Sequence, residues 1–405
     1  MKSAVSGKSR QLVFEDGAVQ FRLRIAVSLL SHRPILIKNI RSQDLEAPGL
    51  REHEASFLRL IDALTNGSRI MINATGTQLR FQPGVLLGGR VEHHCPVVSD
   101  VNNNGDENDE ENDNLLEARS IGWFLEGILP LAPFGKEPLS LKLTGITEGT
   151  QHIDPSPDYL KASILPLYKA FGIGVASVNE DPMLAPTSPQ IRVVKRGAAP
   201  LGGGVVEFYC PITRELTPVD FTDTGKIKRV RGAAISCKIV SSSMASRVAY
   251  AAKGLLQRLL PDVWIVTDVH TMKKNGCGPS PALSLVLSAE STTGVVFSAE
   301  TLFQKNAELP EDVGKRGAAM LLEEVRRGGV IDTGCQSLAL LLMCLTPEDV
   351  SRIRLGTLSQ FSIEALRLYK AALDVEFKVK PDHETKTVMM SCLGTGYRNM
   401  ARAST

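Results

Sequence analysis

The segment RIRLGTLSQFSIEALRLYKAALDVEFKVK, residues 352–380, decides the fold class because it contains a strand, a helix and a further strand in succession. Ser359 or Ser362 can cap the helix at its start. Apolar side chains recur along the helix as they do on one buried face, at Phe361, Ile363, Leu366 and Leu368. The runs RIRLG and VEFKVK, and TVMMSCLG after them, predict strands. The segment therefore predicts a helix packed on a small β-sheet.

The same alternation of helices and strands occurs in two earlier parts of the chain. A first unit, about residues 10–100, contains the helices QFRLRIAVSLL and GLREHEASFLRLIDALTNG and the strands RPILIKNI, RIMINAT and TQLRFQPG. A second unit, about residues 115–215, begins with the helix LLEARSIGWFLEGILPLA. The third, about residues 310–400, begins with the helix EDVGKRGAAMLLEEVRRGG. Three comparable units predict a repeated α/β architecture with helices packed on each sheet.

Residues 230–305 differ from these units. They contain the strand KIKRVRGAAISCKIV, the capped amphipathic helix SSSMASRVAYAAKGLLQRLL and further strands. We expect a small inserted α/β domain here, and a large domain made of residues 1–229 and 306–405. The tract from Asn102 to Asn114 carries six acidic residues and no basic one. Low hydrophobicity and dense like charge predict that this tract, residues 102–114, is a disordered loop.

The composition is typical of a soluble, intracellular protein with two or three domains. The chain has 405 residues, of which 43% are hydrophobic and 22% charged. Its seven cysteines are never spaced as CxxC and lie in or beside apolar runs, which predicts buried free thiols in a reducing compartment. We identify no signal peptide and no apolar run of the length that a membrane span needs. We therefore expect no membrane partner.

The run EHHC, from Glu92 to Cys95, groups four side chains that could bind a metal ion. Adjacent residues rarely converge on one ion, and no second half-site with zinc-like spacing accompanies this run. Histidines with a structural or surface role are therefore favoured, and we expect no metal site.

Basic side chains cluster in short stretches, many of them beside glycine or proline. They are Arg22, Arg24, Lys38, Arg41, Arg51, His53, Lys195, Arg196, Lys226, Lys228, Arg229 and Arg231. Single charges of this kind usually lie on solvated faces or extend over apolar neighbours. Clusters in turns also suit phosphates, which bind to positive charge and to backbone N–H groups. The spacing of the residues leaves both interpretations open.

Several long segments resemble the RNA 3′-terminal phosphate cyclase family. They are PGLREHEASFLRLIDALTNGSRIMINATGTQLRFQPGVLLGG, VKRGAAPLGGGVVEF and GKIKRVRG. The segments RRGGVIDTGCQSLALLLM and LGTLSQFSIEALR look like the eukaryotic, catalytically inactive branch of this family. The resemblance covers nearly the whole chain apart from the acidic tract. It implies a large domain of three repeats, each with two helices on a four-stranded sheet, and a smaller inserted α/β domain.

The resemblance also implies that the catalytic nucleophile is missing. Active cyclases adenylylate a histidine, whose ring nitrogen attacks phosphorus, and pass AMP to an RNA 3′-phosphate. The family's histidine position falls on Leu358, and no histidine lies between His270 and His383. Where active cyclases carry an acidic residue and a glutamine, this chain has Ser337 and Leu338. We therefore predict no cyclase activity, no catalytic residue and no cofactor.

The cyclase-like branch implies a factor of small ribosomal subunit biogenesis in the nucleus and nucleolus. Its implied role is early pre-rRNA processing within the small-subunit processome, and its implied partners are pre-ribosomal RNA, processome proteins and a ribosome-assembly GTPase. From the basic clusters we hypothesise that an anion-binding or RNA-binding cleft remains after the chemistry was lost. Its residues are Arg22, Arg24, Arg41, Arg51, His53, Lys195 and Arg196.

An RNA endonuclease that cleaves precursor ribosomal RNA is the alternative function. Such cleavage needs a base, an acid or metal ion, and a cation beside the phosphorane. The candidate residues are Glu323, Glu324, Arg326, Arg327 and Asp332. A protein-interaction scaffold is a third possibility, which RNA binding by the isolated protein would separate from the other two.

Overall fold

A computed structural model of the protein describes residues 11–97, 118–149, 154–175, 188–238, 243–271, 276–303 and 308–399. These residues form a mixed α/β fold, which confirms the predicted fold class. The tract Asn102–Asn114, predicted to be a disordered loop, lies outside the described residues. Within the described ranges, none of the helices combines the length and the apolar character that crossing a membrane requires.

Three four-stranded sheets in the described part of the chain share one strand order. The first sheet has the order β1 (Leu12–Phe14), β2 (Ile35–Ile37), β5 (Leu79–Gln82) and β4 (Arg69–Ile72). The second has the order β7 (Gly89–His94), β8 (Leu139–Gly145), β10 (Gly204–Cys210) and β9 (Gln190–Lys195). The third has the order β11 (Asp220–Phe221), β16 (Val350–Leu355), β18 (Thr387–Leu393) and β17 (Lys378–Asp382). Two short strands, β3 (Thr65–Asn66) and β6 (Val85–Leu86), pair separately.

The strand directions explain where the helices lie. In each of these sheets the first two strands along the chain are parallel, and the other pairs are antiparallel. Parallel strands need a crossover connection, which a helix usually supplies. The first unit has the helices α1 (Phe21–Ser31) and α2 (Glu52–Leu64) between its strands. The second unit has α3 (Ile121–Ile128) and α4 (Pro157–Ala170). The third unit has α7 (Gln336–Cys344) and α8 (Gln360–Leu373). Strand β7, which lies within the range predicted for the first unit, pairs in the second sheet.

Helix α8 forms as its sequence predicts, with one difference on its buried face. Ser359 is the N-cap, because its side chain accepts a hydrogen bond from the backbone N–H of Ser362. Leu368 and Tyr369 are buried against the core, whereas the side chain of Phe361 is 42% exposed. Phe361 therefore contributes to a surface beside the core, which the apolar pattern of the sequence does not distinguish from the core.

A fourth sheet has the strand order β13 (Val263–His270), β12 (Ile227–Cys237), β14 (Ala282–Ser291) and β15 (Val296–Leu302). Helices α5 (Ser243–Leu256) and α6 (Pro310–Arg327) pack on one face of this sheet. From its position along the chain, α6 was predicted to belong to the third unit. In the structure it lies against α5, β14 and β15, because its small residues fit there.

Two glycines allow the close approach of α6 to the fourth sheet. A Cβ atom on Gly314 would lie 2.4 Å from the carbonyl oxygen of Val248 on α5. A Cβ atom on Gly317 would lie 2.8 Å from a methyl group of Leu285 on β14. Side chains at these positions would push the helix away from the sheet, since well-packed interiors have no room for them.

All seven cysteines are buried and none forms a disulfide, which confirms the predicted free thiols. Burial raises the pKa of the Cys95 and Cys210 thiols, so both stay protonated at neutral pH. A protonated, buried thiol is a weak nucleophile. These two cysteines therefore behave as small apolar packing residues.

Replacing Gly314 with alanine should lower the free energy of unfolding by about 1–3 kcal/mol, because the added methyl group overpacks the contact between α6 and α5. Gly254→Ala is the matched control, since among the described residues nothing lies within 4 Å of a Cβ atom at Gly254. The control should leave stability unchanged or raise it by up to about 1 kcal/mol. Urea denaturation measures both values, and equal effects of the two variants would contradict the packing of α6 described above.

Candidate functional site

A cavity of about 670 Å³ lies where helices of all three units meet the fourth sheet. The first unit contributes α1 and the start of α2, and the second contributes α3 and the start of α4. The third unit contributes α7 and Phe361, while the fourth sheet and its helices contribute β15 and the last turns of α6. Because its walls come from distant parts of the chain, the cavity exists only when these elements pack together.

Leu358 lies in the short loop between β16 and α8, beside this cavity. Its side chain is half-buried and packs against the hydrophobic core. The side chain of Gln336 holds the loop in place: it donates to the carbonyl oxygen of Thr357 and accepts from the backbone N–H of Ser359 and the hydroxyl of Ser362. Sequence analysis missed Gln336, because a buried glutamine is recognised only from its partners.

Ser337 and Leu338, the other two positions at which the family resemblance predicts a departure from active cyclases, line the cavity. The backbone carbonyl of Ser337 accepts a hydrogen bond from the Tyr369 hydroxyl of α8. A leucine side chain can neither donate nor accept a proton, so Leu338 gives this part of the wall an apolar character.

Three of the seven residues proposed for an anion-binding cleft line the cavity, namely Arg22, Arg41 and His53. The Arg22 guanidinium pairs with Glu126 at 2.8 Å and lies 4.5 Å from the ring centroid of Trp123. Arg41 binds both carboxylate oxygens of Glu54, at 2.7 and 2.8 Å. His53 is buried and meets the Trp123 ring edge-on, with the ring centroids 5.0 Å apart.

The other four residues do not line this cavity. Arg24 is buried and pairs with Asp16 at 2.6 Å, and Arg51 pairs with Asp44 at 2.9 Å. Lys195 ends strand β9, where it is half-buried. Arg196 is 6% exposed and lies among three carboxylates, which belong to Glu148, Asp158 and Asp268. The structure thus separates the proposed residues and gives most of the arginines an acidic partner that lies elsewhere in the sequence.

The charges around the cavity do not have a basic excess. Among the described residues that line it, the arginines are Arg22, Arg41, Arg119 and Arg327, and the acidic residues are Glu54, Glu126, Asp154, Glu300, Glu323 and Glu324. Arg119 pairs with Asp154 at 3.0 Å. Since paired arginines present little net field to a phosphate, the interior of the cavity is poorly suited to hold an RNA backbone by charge alone.

Of the endonuclease candidates, Glu323, Glu324 and Arg327 line the cavity, whereas Arg326 and Asp332 do not. Hydrogen bonds from Arg326, supported by Arg327, lower the pKa of Glu323 to about 2. A carboxylate with so low a pKa is a weak general base at neutral pH.

Glu324 and Asp332 have structural partners. Glu324 accepts hydrogen bonds from both the backbone N–H and the hydroxyl of Thr333. Asp332 is buried and caps the short turn Thr333–Cys335 by accepting from the backbone N–H of Cys335. Both carboxylates therefore hold the segment between α6 and α7 in its position against the cavity.

Glu300 is the lining residue with the most unusual environment. It projects from β15 and accepts hydrogen bonds from the backbone N–H of Ser156, at 3.0 and 3.2 Å, immediately before α4. Its removal from water raises the pKa of the carboxyl to about 7, against an ordinary value of 4.5. Nearby, burial raises the pKa of Tyr159, whose hydroxyl lies against Gly334. Glu300 can therefore bind or release a proton near neutral pH.

The sequence gives no local signal for Glu300. The residue sits in β15, but its environment comes from Ser156, 144 positions earlier in the chain. Only the packing of β15 against the start of α4 removes this carboxyl from water. A pattern of residues within one strand cannot report such a contact.

The EHHC run lies at the end of β7, and its two histidines have separate partners. His93 makes a hydrogen bond to the hydroxyl of Ser56 and packs against Phe124, whereas His94 makes a hydrogen bond to Thr144. Burial lowers the pKa of His93 to about 4, so the ring is neutral at pH 7. In the described ranges, no three His, Cys, Asp or Glu side chains gather as a metal site would require.

Comparison with known proteins identifies the family. The family model of RNA 3′-terminal phosphate cyclase matches residues 13–379, which is most of the chain. The chain therefore belongs to the RNA 3′-terminal phosphate cyclase family, and the predicted family is confirmed.

Among relatives, the chain is similar to proteins of the cyclase-like branch. It is 45% identical over 391 residues to the RNA 3′-terminal phosphate cyclase-like protein of Homo sapiens, covering 94% of this chain and 95% of that one. It is 43% identical over 404 residues to the probable RNA 3′-terminal phosphate cyclase-like protein of Dictyostelium discoideum, covering 96% and 99%. It is 39% identical over 383 residues to the rRNA processing protein rcl1 of Schizosaccharomyces pombe, covering 94% of each chain.

Glu300 should make stability fall as the pH rises from about 4.5 to about 7. In this window the folded state keeps the proton that the unfolded state has released, so unfolding becomes easier with each step in pH. Glu300→Gln removes this loss, and the variant should gain up to about 3 kcal/mol relative to the wild type between pH 5 and pH 7.5. Chemical denaturation at a series of pH values measures the difference.

Glu323→Gln is the control for this experiment. The pKa of Glu323 is lowered to about 2, below the pH window, so that variant should show no such gain relative to the wild type. A pH-independent difference between Glu300→Gln and the wild type would contradict the raised pKa of Glu300.

Proposed function

We propose that this protein is a non-catalytic, cyclase-like factor of ribosomal RNA processing. In this role it acts early in pre-rRNA processing for the small ribosomal subunit, within the small-subunit processome, in the nucleus and nucleolus. Its partners are pre-ribosomal RNA, processome proteins and a ribosome-assembly GTPase. The observation that carries the proposal is the 39% identity, over 94% of both chains, to a protein named for rRNA processing.

The cavity supports the non-catalytic part of this proposal. The position that the family resemblance assigns to the nucleophile holds Leu358, an alkyl side chain that packs against the core. The neighbouring wall presents Leu338 and Ser337, and a serine ester of AMP would not be a labile AMP donor. His53 lines the cavity as well, but its ring is buried against Trp123. These features favour a scaffold that keeps the family's cavity without its phosphoryl-transfer chemistry.

An RNA endonuclease is the second candidate, and Glu300 is the observation that favours it. A carboxyl with a pKa of about 7 can act as a general acid or base at neutral pH. Arg327 and Arg119 line the same cavity, and an arginine can stabilise negative charge on a phosphorane. The paired state of Glu323 and Glu324 makes those two carboxylates weaker candidates than Glu300.

One incubation tests both candidates. The purified full-length protein is mixed with ATP labelled at the α-phosphate and a precursor rRNA fragment that ends in a 3′-phosphate, beside an active cyclase as the positive control. We expect no covalent label on the protein and no 2′,3′-cyclic end, because Leu358 occupies the position that the resemblance assigns to the nucleophile. A non-catalytic factor should also leave the strand uncut. An AMP adduct on any residue of the protein would contradict the loss of cyclase chemistry.

Scission of the RNA would favour the endonuclease. Cleavage that is lost in Glu300→Gln, and retained in the matched variant Glu323→Gln, would assign the general acid or base to Glu300. Cleavage that survives both substitutions would show that this carboxyl is not required.

A further inference from the structure

One face of the fourth sheet carries a row of side chains that runs from the sheet edge to the cavity. Trp264 on β13 pairs in register with Arg231 on β12, Arg231 with Ser288 on β14, and Ser288 with Ser298 on β15. Since side chains alternate between the two faces of a sheet, these four lie on the same face. We call them the Trp264 row. Helices α5 and α6 cover the opposite face.

The two ends of the Trp264 row have different surroundings. At the edge strand, the side chain of Trp264 is 63% exposed, and that of Val266 on the same face is 44% exposed. At the other end, Ser298 lines the cavity and is 2% exposed. Among the described residues, the buried Ser298 hydroxyl has no hydrogen-bond partner. Trp264 and Val266 together expose an apolar surface at the sheet edge, and a buried hydroxyl without a partner, as at Ser298, is uncommon in proteins.

The segment GKIKRVRG, which the anion-binding hypothesis left unused, enters the sheet beside Trp264. Its cations are Lys226, Lys228, Arg229 and Arg231. Lys228 and Arg229 share the carboxylate of Glu290, at 2.7 and 2.5 Å, so one acidic group faces two cations. Arg231 pairs with Asp262, and Lys226 is exposed. This end of the sheet face therefore keeps an excess of positive charge.

From this arrangement we propose that the Trp264 row binds single-stranded RNA. A base stacks on the exposed indole of Trp264, and phosphates bind to Lys226 and to the cluster of Lys228 and Arg229, whose two positive charges share one carboxylate. The small side chain of Ser288 leaves the sheet face flat beside Arg231, and the strand continues over it as far as α4, which lies against β14 and β15 on this face. Four-stranded sheets of RRM domains bind RNA in this way, with about two or three bases stacked on aromatic side chains.

The chemistry of the face favours RNA over a protein partner. Its exposed apolar side chains, Trp264 and Val266, are few and lie beside arginines, whereas protein interfaces have a contiguous apolar core. An aromatic ring next to cations is instead the usual platform for unpaired bases. This binding site lies outside the residues proposed for the anion-binding cleft. It relies on the proposed function only for the expectation that RNA is a partner.

The test compares binding of a short fluorescent oligouridylate by the full-length wild type and by Trp264→Ala, using fluorescence anisotropy. Loss of the stack should weaken binding about tenfold or more, while Trp264→Phe should keep most of the affinity. Tyr250→Ala is the matched control, because Tyr250 is an 81% exposed aromatic residue on α5, behind the opposite face of the sheet. Its affinity should equal that of the wild type.

Tryptophan fluorescence gives a second readout. The chain has two tryptophans, and Trp123 is only 7% exposed, so quenching by the oligouridylate should come mainly from Trp264 and disappear in Trp264→Phe. The proposal is overturned if Trp264→Ala binds as tightly as the wild type, if Tyr250→Ala weakens binding equally, or if an RNA duplex binds as tightly as the single strand. Such a result concerns only this surface, because the role in rRNA processing is judged separately from precursors in cells.

Discussion

The buried guanidinium of Arg196 joins the fourth sheet to the second unit. It lies among Glu148, 3.6 Å away, Asp158 at the start of α4, and Asp268 on β13, 3.5 Å away. Glu148 also accepts a hydrogen bond from Ser284 on β14, which ties the same two parts of the chain. A charge buried without a partner would cost several kcal/mol, so these groups must stay together once they leave water. Their contact sets the position of β15 against α4 and so forms one wall of the cavity.

The cavity lies within the fold of an RNA 3′-terminal phosphate cyclase family member, at the junction of all three units with the fourth sheet. Helices from three units converge on it, and Gln336 fixes the loop that carries Leu358. Its arginines are largely paired with carboxylates, and its wall includes Leu338 at a position where the family resemblance leads us to expect a polar group. Glu300 is the group best placed for proton transfer, and its pKa of about 7 depends on the same packing that closes the cavity. The stability of the protein and the pKa of Glu300 therefore depend on the same contact between β15 and the start of α4.

The sequence predicted the fold class and helix α8 because these depend on local periodicity and capping, as at Ser359, and the resemblance of long segments predicted the family. It did not predict that α6 packs on the fourth sheet, because the fit of Gly314 against Val248 is a contact between distant segments. The basic residues illustrate the same limit. The sequence shows no acidic partner next to Arg196, but in the structure Arg196 pairs with carboxylates from distant parts of the chain. By contrast, the RNA-binding role proposed for GKIKRVRG depends on the sheet register, which places Arg231 beside Trp264.

We propose that the protein uses its cyclase architecture in the processing of small-subunit ribosomal RNA. The profile of precursor rRNA in cells depleted of this protein tests that role most directly, with rescue by the wild-type chain as the control. We predict that unprocessed precursors of the small-subunit rRNA accumulate, while the rRNA of the large subunit matures normally, and that the wild-type chain restores processing. Normal maturation of the small-subunit rRNA after depletion would contradict it.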